Sequence, residues 1–381
     1  SDNQLVLTAS DDETARIWES SSGKLLHSLE GHTERINSAV FSFNDKLALT
    51  ASDDETARIW DTQSGKELKI LQGHTIDIVT SEISPDNNLV LNTSTDHNVR
   101  IWNIKTGELL QILNGHNVNI NQEESNWYQP SSFSLNNKFI VATTNYRTAG
   151  KTGYTGAKIW NAQSGKELKE LEVPGGVFIA DFSYDNKMVV TVSDDTTTSF
   201  WDVQTGEKIH SFQGVCRWYK TGISYDGKLL FTSLGPYGDS AIIWDIQSGK
   251  ERHVLQNDDF GLFQNFSYDS KFIVTTVGRY GDRAKIWDTQ SGKELHTLKG
   301  HSRSINYAEF SSDNQLVLTS SDDKTAKIWD AQSGKELYTL KGHSSGISYA
   351  EFSSDNQLVL TSSYDKTAKI WDAQSGKELY T

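Results

Sequence analysis

A repeat of about 42 residues constrains this chain more than any other feature. The stretch TAKIWDAQSGKEL occupies residues 325–337 and returns unchanged at 367–379. A tryptophan marks the same point of nine successive units, at Trp18, Trp60, Trp102, Trp160, Trp201, Trp244, Trp287, Trp329 and Trp371. A repeated unit of this length is one supersecondary structure that cannot bury its apolar surface alone, so we expect neighbouring units to stack on one another.

Each unit is predicted to form four short strands. In the eighth unit these are residues 305–311, 315–321, 325–330 and 336–340, where apolar and small polar residues alternate. Alternation with a period of two is the strand pattern, and the Asp, Asn, Gly and Ser between these segments favour tight turns. We therefore predict an all-β fold of about nine four-stranded antiparallel sheets. The chain begins at the second strand of a unit, so the first sheet should lack its inner strand.

The units resemble the WD-repeat family. The resemblance rests on Gly-His pairs at 31–32, 73–74, 115–116, 300–301 and 342–343, on an Asp six residues before the Trp, and on the WD or WN ending. It covers the whole chain and implies a single β-propeller over residues 1–381, with one blade per unit. It also implies a buried network of His, a strand Ser or Thr, the turn Asp and the Trp. The network residues would be His32, Asp54, Trp60, His74, Asp96, Trp102, His301, Asp323, Trp329, His343, Asp365 and Trp371.

The ends of the chain leave three arrangements open. One is a nine-blade ring closed around an incomplete blade, and another is a seven- or eight-blade ring with surplus blades. The third is a piece of a longer repeat-rich chain. Residues 307–339 and 349–381 differ at one position, where Asp322 becomes Tyr364. Near-identical units at the ends favour a polypeptide that continues on both sides, with flanking domains or self-association possible.

An irregular sector at about residues 115–285 interrupts the repeat. Blade 4 is longer by about 16 residues, blades 5 to 7 lack the Gly-His pair, and blades 4, 6 and 7 lack the turn Asp. The loops here are rich in Trp, Tyr and Arg, the residue types that dominate interface hot spots. We predict a binding surface for a protein or peptide partner, formed by Trp127, Tyr128, Tyr146, Arg147, Arg217, Trp218, Tyr219, Tyr237, Arg279, Tyr280 and Arg283.

The alternative interpretation of this sector is aromatic packing. Blades that lose the His–Asp pair would then fill its place with apolar side chains, and the inserted residues would be neutral. For Phe178 and Phe263 core packing is the better expectation. For Trp127, Arg217 and Trp218, which fall outside the regular register, we expect exposure and binding.

Charge and composition argue against several functions. The net charge is −14, which disfavours nucleic acid as a partner, and no apolar run is long enough for membrane insertion. Cys216 is the single cysteine, so no internal disulfide can form and a reducing compartment such as the cytoplasm is favoured. The histidines form no metal motif, and we predict no metal and no cofactor. On the inner strands, Glu82, Asp181, Glu309 and Glu351 are expected to be solvated carboxylates.

These observations favour a non-catalytic scaffold for protein–protein interaction. The resemblance implies this role, since WD-repeat propellers mostly recruit or recognise partners. A sensor or regulatory propeller within a larger multidomain protein is one alternative. A structural protein that self-assembles through its edge strands is another, and an enzyme that uses the central channel is a third.

Overall fold

The computed structural model describes residues 4–96, 98–114, 131–145, 155–173, 177–193, 197–213, 222–234, 240–256, 260–277 and 281–381. Over these residues the protein is built from strands and turns, and they form nine antiparallel sheets, called blades below. The first blade has three strands and each of the others has four. The predicted fold class, including the missing inner strand of the first blade, is therefore confirmed. This part of the chain contains no helix long and apolar enough to span a membrane.

The chain divides into two compact units, Ser1–Ser211 and Phe212–Thr381, which are described separately. The prediction that residues 1–381 form one domain stays a prediction. The strands of the first five blades are β1 (Leu5–Ala9), β2 (Ala15–Glu19) and β3 (Leu25–Leu29); β4 (Ile36–Phe41), β5 (Leu47–Ser52), β6 (Thr56–Asp61) and β7 (Glu67–Gln72); β8 (Ile78–Ile83), β9 (Leu89–Ser94), β10 (Asn98–Asn103) and β11 (Leu109–Asn114); β12 (Ser131–Phe133), β13 (Phe139–Asn145), β14 (Thr155–Asn161) and β15 (Glu167–Val173); and β16 (Val177–Phe182), β17 (Met188–Ser193), β18 (Thr197–Asp202) and β19 (Lys208–Gln213).

The remaining four blades follow the same plan. Their strands are β20 (Gly222–Ile223), β21 (Leu229–Leu234), β22 (Ser240–Asp245) and β23 (Lys250–Gln256); β24 (Phe260–Phe266), β25 (Phe272–Val277), β26 (Arg283–Asp288) and β27 (Glu294–Lys299); β28 (Ile305–Phe310), β29 (Leu316–Ser321), β30 (Thr325–Asp330) and β31 (Glu336–Lys341); and β32 (Ile347–Phe352), β33 (Leu358–Ser363), β34 (Ala368–Asp372) and β35 (Glu378–Tyr380). In every blade the strands pair in chain order, as a meander.

The core lies between successive blades within each unit. In strand β6, Ala57 and Ile59 pack in a cluster with Ile78 and Val90 of blade 3. Trp60, on the other face of the same strand, packs with blade 1. Alternate side chains of a strand point to opposite faces of the sheet. Both faces of blade 2 are therefore buried by its neighbours, which is why the apolar pattern must recur in successive units.

The third turn of each blade explains the aspartate of the WD ending. In blade 2, Asp61 Oδ1 accepts hydrogen bonds from Ser64 N at 2.8 Å and Ser64 Oγ at 2.5 Å. Gly65 closes the turn with φ of +68°, in the left-handed region that favours glycine. A Cβ atom there would lie 2.6 Å from the His27 ring of blade 1. The glycine is thus required by its own backbone and by the close approach of the preceding blade.

In blades 2 and 8 the same turn is hydrogen-bonded to the preceding blade. His27 Nε2 donates to the carbonyl of Gln63 at 3.0 Å, and His296 Nε2 donates to the carbonyl of Gln332 at 2.7 Å. Both histidines lie on the fourth strand of one blade, and both acceptors lie in the third turn of the next. His27 and His296, which lie outside the Gly-His pairs, therefore form hydrogen bonds between blades.

Candidate functional site

The regular blades contain a buried chain of side-chain hydrogen bonds. In blade 2, His32 Nδ1 lies 2.8 Å from Asp54 Oδ2, and His32 Nε2 lies 2.8 Å from Thr50 Oγ1. Trp60 Nε1 lies 2.9 Å from the same hydroxyl. The ionised Asp54 carboxylate can only accept, so His32 carries a proton on Nδ1 and donates it to Asp54. In this neutral tautomer Nε2 accepts from the Thr50 hydroxyl, whose oxygen accepts in turn from the Trp60 indole.

Blades 8 and 9 contain the same geometry. His301 lies 2.8 Å from both Asp323 Oδ2 and Thr319 Oγ1, and Trp329 Nε1 donates to Thr319 at 2.9 Å. In blade 9 the corresponding distances, in the same order, are 2.9, 2.8 and 2.9 Å, and they join His343, Asp365, Thr361 and Trp371. The repeated sequence thus builds the same polar network at equivalent places.

The network fastens a loop to a turn. Asp54 lies in the turn between strands 2 and 3, and its Oδ2 atom also accepts from Thr33 N at 3.1 Å, in the loop before strand 1. Burial raises the pKa of the Asp54 carboxyl, but hydrogen bonds from His32 and Thr56 outweigh burial and hold that pKa well below its usual range. The carboxylate is therefore ionised at neutral pH and keeps both backbone segments in place.

Blade 3 departs from this arrangement because Asn92 stands at the threonine position. Asn92 Oδ1 accepts from Ser81 Oγ at 2.9 Å. Three buried atoms, His74 Nε2, Asn92 Nδ2 and Trp102 Nε1, have no hydrogen-bond partner among the described residues. His74 Nδ1 still lies 2.9 Å from Asp96. Burial and the adjacent Arg100 guanidinium lower the pKa of His74 to about 4, so the ring is neutral at pH 7.

The blades of the irregular sector keep only part of the network. Trp201, Trp244 and Trp287 donate to Thr191, Thr232 and Thr275 at 2.9, 2.8 and 2.9 Å respectively. The Gly-His pair is absent from the sequence of blades 5 to 7. The tryptophan anchor therefore survives there without the histidine that fastens the loop to the turn, and blades 6 and 7 also lack the turn Asp.

Most of the predicted partner-binding residues lie outside the described residues, namely Trp127, Tyr128, Tyr146, Arg147, Arg217, Trp218, Tyr219, Tyr237, Arg279 and Tyr280. Arg283 is described. It begins strand β26, its side chain is partly exposed, and its Nε atom lies 3.4 Å from Asp282 Oδ1. Phe178 and Phe263 lie on strands β16 and β24, and their side chains are outside the described part.

Carboxylates of the inner strands link successive blades. Glu82 Oε2 accepts from Phe133 N of blade 4 at 3.2 Å, and Glu309 Oε1 accepts from Phe352 N of blade 9 at 2.7 Å. Burial raises the pKa of Glu82 to about 8 and that of Glu309 to about 7. The expectation of solvated carboxylates is wrong at these positions, because the carboxyls are partly buried and bonded to the next blade.

The other two inner carboxyls also have partners. Asp181 Oδ1 accepts from Ser132 Oγ at 2.8 Å, and Glu351 Oε2 accepts from Tyr349 OH at 3.2 Å. Burial raises the pKa of both carboxyls. The described residues contain no group of three or more His, Cys, Asp or Glu side chains placed to hold a metal ion.

Sequence reasoning overlooked the turns between strands 1 and 2. It treated them as simple connections, yet Phe43, Leu135 and Tyr184 expose large side chains there. The signal was available, because an apolar residue follows a Ser in the turns of blades 2 to 7, and a second Ser stands at that place in blades 8 and 9.

Comparison with known proteins bears on both the repeat and the fold. The family model "WD domain, G-beta repeat" matches residues 23–61, 65–103, 165–202, 292–330 and 334–372, about half of the chain. The unmatched stretch 203–291 falls largely within the irregular sector. A comparison with curated proteins gave no match.

Among solved structures, the crystal structure of the computationally designed Ika8 protein superposes with a TM-score of 0.64. The alignment covers 91% of this chain and 99% of that one at 23% identity. A likeness at this identity shows the fold alone. Together with the match to the repeat model, these observations show that the chain belongs to the WD-repeat family of β-propeller proteins.

Proposed function

We propose that this protein is a non-catalytic scaffold that binds a protein or peptide partner through the loops of blades 4 to 7. Propellers of this family generally serve as protein-interaction scaffolds and generally lack catalysis. The loops meant are those before strand 1 and between strands 2 and 3, which lie at the same end of a blade.

One observation carries this proposal. In blades 2, 8 and 9 the His–Asp pair fastens these loops, as at His301 and Asp323. In blades 5 to 7 the Gly-His pair is replaced, and the sequence there supplies Arg217, Trp218 and Tyr219 among other hot-spot residue types. Loops on a rigid scaffold are where binding function concentrates. Blades 5 to 7 keep their Trp–Thr anchors while these loops diverge, and this combination supports a binding role.

Affinity capture from native extract tests the proposal. The wild type is compared with the triple variant Arg217→Ala/Trp218→Ala/Tyr219→Ala. The control is Arg303→Ala, at an exposed position in the loop before strand 1 of the regular blade 8. Circular dichroism verifies that all three proteins are folded. We expect a captured protein to be lost from the triple variant and kept by the control. Identical capture by all three proteins would refute the proposal.

A further inference from the structure

In the described part of the chain, strand β1 of blade 1 is paired on one side only. It pairs with β2 in the register that joins β29 to β30 in blade 8, since Val6 lies opposite Trp18 as Val317 lies opposite Trp329. In blade 8 the other edge of β29 pairs with the inner strand β28. The backbone N–H and C=O groups at the inner edge of β1 are therefore open to another strand.

The side chains of blade 1 show the effect of this open edge. In blade 8, Val317 and Trp329 are buried in a cluster that includes Phe310 of the inner strand. The equivalent Val6 and Trp18 of blade 1 are partly exposed. Exposed apolar surface at a place that the complete blades bury is typical of an interaction site.

Blade 1 has three members of the polar network, but among the described residues no histidine is bonded to them. Trp18 Nε1 donates to Thr8 Oγ1 at 2.9 Å, as in the complete network. Asp12 stands at the place of the turn Asp, and hydrogen bonds from Thr14 lower the pKa of its carboxyl to about 2. The Asp12 side chain is 47% exposed, compared with 8% for Asp323 of blade 8. An ionised carboxylate and a threonine hydroxyl are thus in place to hold a histidine that another segment supplies.

The arginine beside Asp12 is compatible with such a histidine. Arg16 Nη2 donates to Asp12 Oδ2 at 2.9 Å. In blade 3 the equivalent Arg100 donates to Asp96 Oδ2 at 2.6 Å, and His74 Nδ1 lies 2.9 Å from the same oxygen. One carboxylate oxygen can therefore accept from both side chains.

A second polar position of blade 1 favours an asparagine. In blade 2, Asn37 of the inner strand donates to Asp53 Oδ1 at 2.6 Å and to the Ile78 carbonyl of blade 3 at 3.0 Å. Blade 8 repeats both hydrogen bonds, the second of them to blade 9. For blade 1 the equivalent acceptors are Asp11, which is exposed, and the Ile36 carbonyl of blade 2. An incoming strand with an asparagine at this point would bridge these two acceptors.

We propose that the inner edge of β1 is a docking site for an extended segment of another polypeptide with the pattern Gly-His-x-x-x-Ile-Asn-x-Ala-x-Phe. Residues 31–41 and 300–310 carry this pattern and occupy the equivalent place in blades 2 and 8. The segment would add a fourth antiparallel strand to blade 1, with its histidine on Thr8 and Asp12 and its asparagine on Asp11. Both copies of the pattern in this chain are paired within their own blades, which favours a separate polypeptide over a second copy of the chain.

Fluorescence anisotropy with a labelled peptide that copies residues 299–311 tests this docking site. We expect the peptide to bind the 381-residue chain, and a scrambled peptide of the same composition to bind at least about tenfold more weakly. Peptides with alanine in place of His301 or Asn306 should each bind about fivefold more weakly or less tightly still.

A double-mutant cycle assigns the contact to blade 1. Asp11→Ala should weaken binding of the unmodified peptide by about fivefold, but should leave the affinity of the Asn306→Ala peptide unchanged. The control Asp322→Ala alters the equivalent position of blade 8, whose inner strand is present, and should leave both affinities unchanged. Blade 9 folds with Tyr364 at this position, so Asp11→Ala should remain folded.

A chain with the edge already filled provides the second control. A variant that carries a copy of residues 299–311 before Ser1 supplies the strand itself and should no longer bind the peptide. The triple variant at Arg217, Trp218 and Tyr219 should bind the peptide normally, so that failure here and failure of the proposed function can be told apart.

Four results would overturn the proposal. They are no binding of the peptide, equal binding of the scrambled peptide, continued binding to the filled variant, and indifference to Asp11→Ala. Dimers in light scattering that dissociate when the peptide is added would place a second copy of the chain at this edge, and would overturn the assignment to a separate polypeptide.

Discussion

Replacing Thr319 with valine should cost more stability than the same replacement in blade 7. Thr319 Oγ1 serves both His301 Nε2 and Trp329 Nε1, at 2.8 and 2.9 Å. Valine keeps the shape of threonine but removes the hydroxyl, so two buried polar atoms lose their partner. Thr275 in blade 7 accepts from Trp287 Nε1 at 2.9 Å, and no Gly-His histidine exists in that blade.

The size of each effect follows from the number of polar atoms left unpaired. A buried donor or acceptor without a partner costs about 1 to 3 kcal/mol. Thr319→Val should therefore lower the free energy of unfolding by about 2 to 6 kcal/mol, and Thr275→Val by about 1 to 3 kcal/mol. Both hydroxyls are buried, Thr319 at 0% and Thr275 at 1% exposure, so a difference in burial cannot explain a difference in cost.

Equilibrium urea unfolding, followed by tryptophan fluorescence, measures both losses. Amide hydrogen exchange in strands β29 and β30 shows whether the effect of Thr319→Val is local to blade 8. Equal losses for the two variants would refute the reasoning that the histidine contributes through this hydroxyl. A loss below about 0.5 kcal/mol for Thr319→Val would show that the network does not stabilise the blade.

Three further predictions concern single positions. Asn92→Thr should raise the free energy of unfolding by about 1 to 2 kcal/mol, because it restores the partner that His74 and Trp102 lack in blade 3; no gain in urea unfolding would contradict this. Gly334→Ala should lower the thermal stability of the protein more than Gly227→Ala does. Both glycines have φ of +69°, but an added Cβ at Gly334 would lie 2.7 Å from His296, whereas an added Cβ at Gly227 would have no atom within 4 Å. Equal losses of stability would exclude the steric cause. Burial raises the pKa of the Glu82 carboxyl from 4.5 to about 8. The contribution of Glu82 to stability is therefore complete below the unfolded pKa and is lost as pH rises from about 4.5 to about 8. Between these pH values the wild type should lose about 1 kcal/mol of unfolding free energy per pH unit relative to Glu82→Gln, and a pH-independent difference between the two proteins would contradict the prediction.

The strands of each blade could be predicted from the sequence because their determinants are local. The eighth blade illustrates this, since its observed strands agree with the predicted ones to within one residue at each end. Alternation of side chains and the chemistry of short turns act within a few residues and can be recognised in a single unit. The missing inner strand of blade 1 followed in the same way from the starting point of the chain within the repeat.

The contacts between blades could not be predicted, because they depend on how one sheet lies against the next. The sequence predicted that Glu82 lies on an inner strand, but it did not predict that the Glu82 carboxylate accepts a hydrogen bond from Phe133 N of blade 4. The sequence predicted that His27 lies on a fourth strand, but it did not predict the hydrogen bond from His27 Nε2 to the Gln63 carbonyl in the third turn of blade 2. The exposure of Phe43 and the hydrogen bond from its backbone N–H to Asn87 of blade 3 likewise depend on how the blades are arranged.

The predicted partner-binding loops have no such local determinant. Their residue types suggested an interface, but loops without periodicity carry no register from which a geometry could be derived. Of the eleven predicted residues, Arg283 lies in the described part of the chain. The assignment of these loops to partner binding stays a prediction, supported by the loss of the Gly-His pair in blades 5 to 7.

Hydrogen exchange of the complex with the captured partner tests the central claim most directly. If the divergent loops bind the partner, amide exchange should slow in residues 214–221 and 278–280 when the complex forms. The corresponding loops before strand 1 of the regular blades, residues 300–304 and 342–346, and their strand 2–3 turns, residues 322–324 and 364–367, should show no change. Slowed exchange confined to the regular blades or to the outer strands, with none in the divergent loops, would contradict the account.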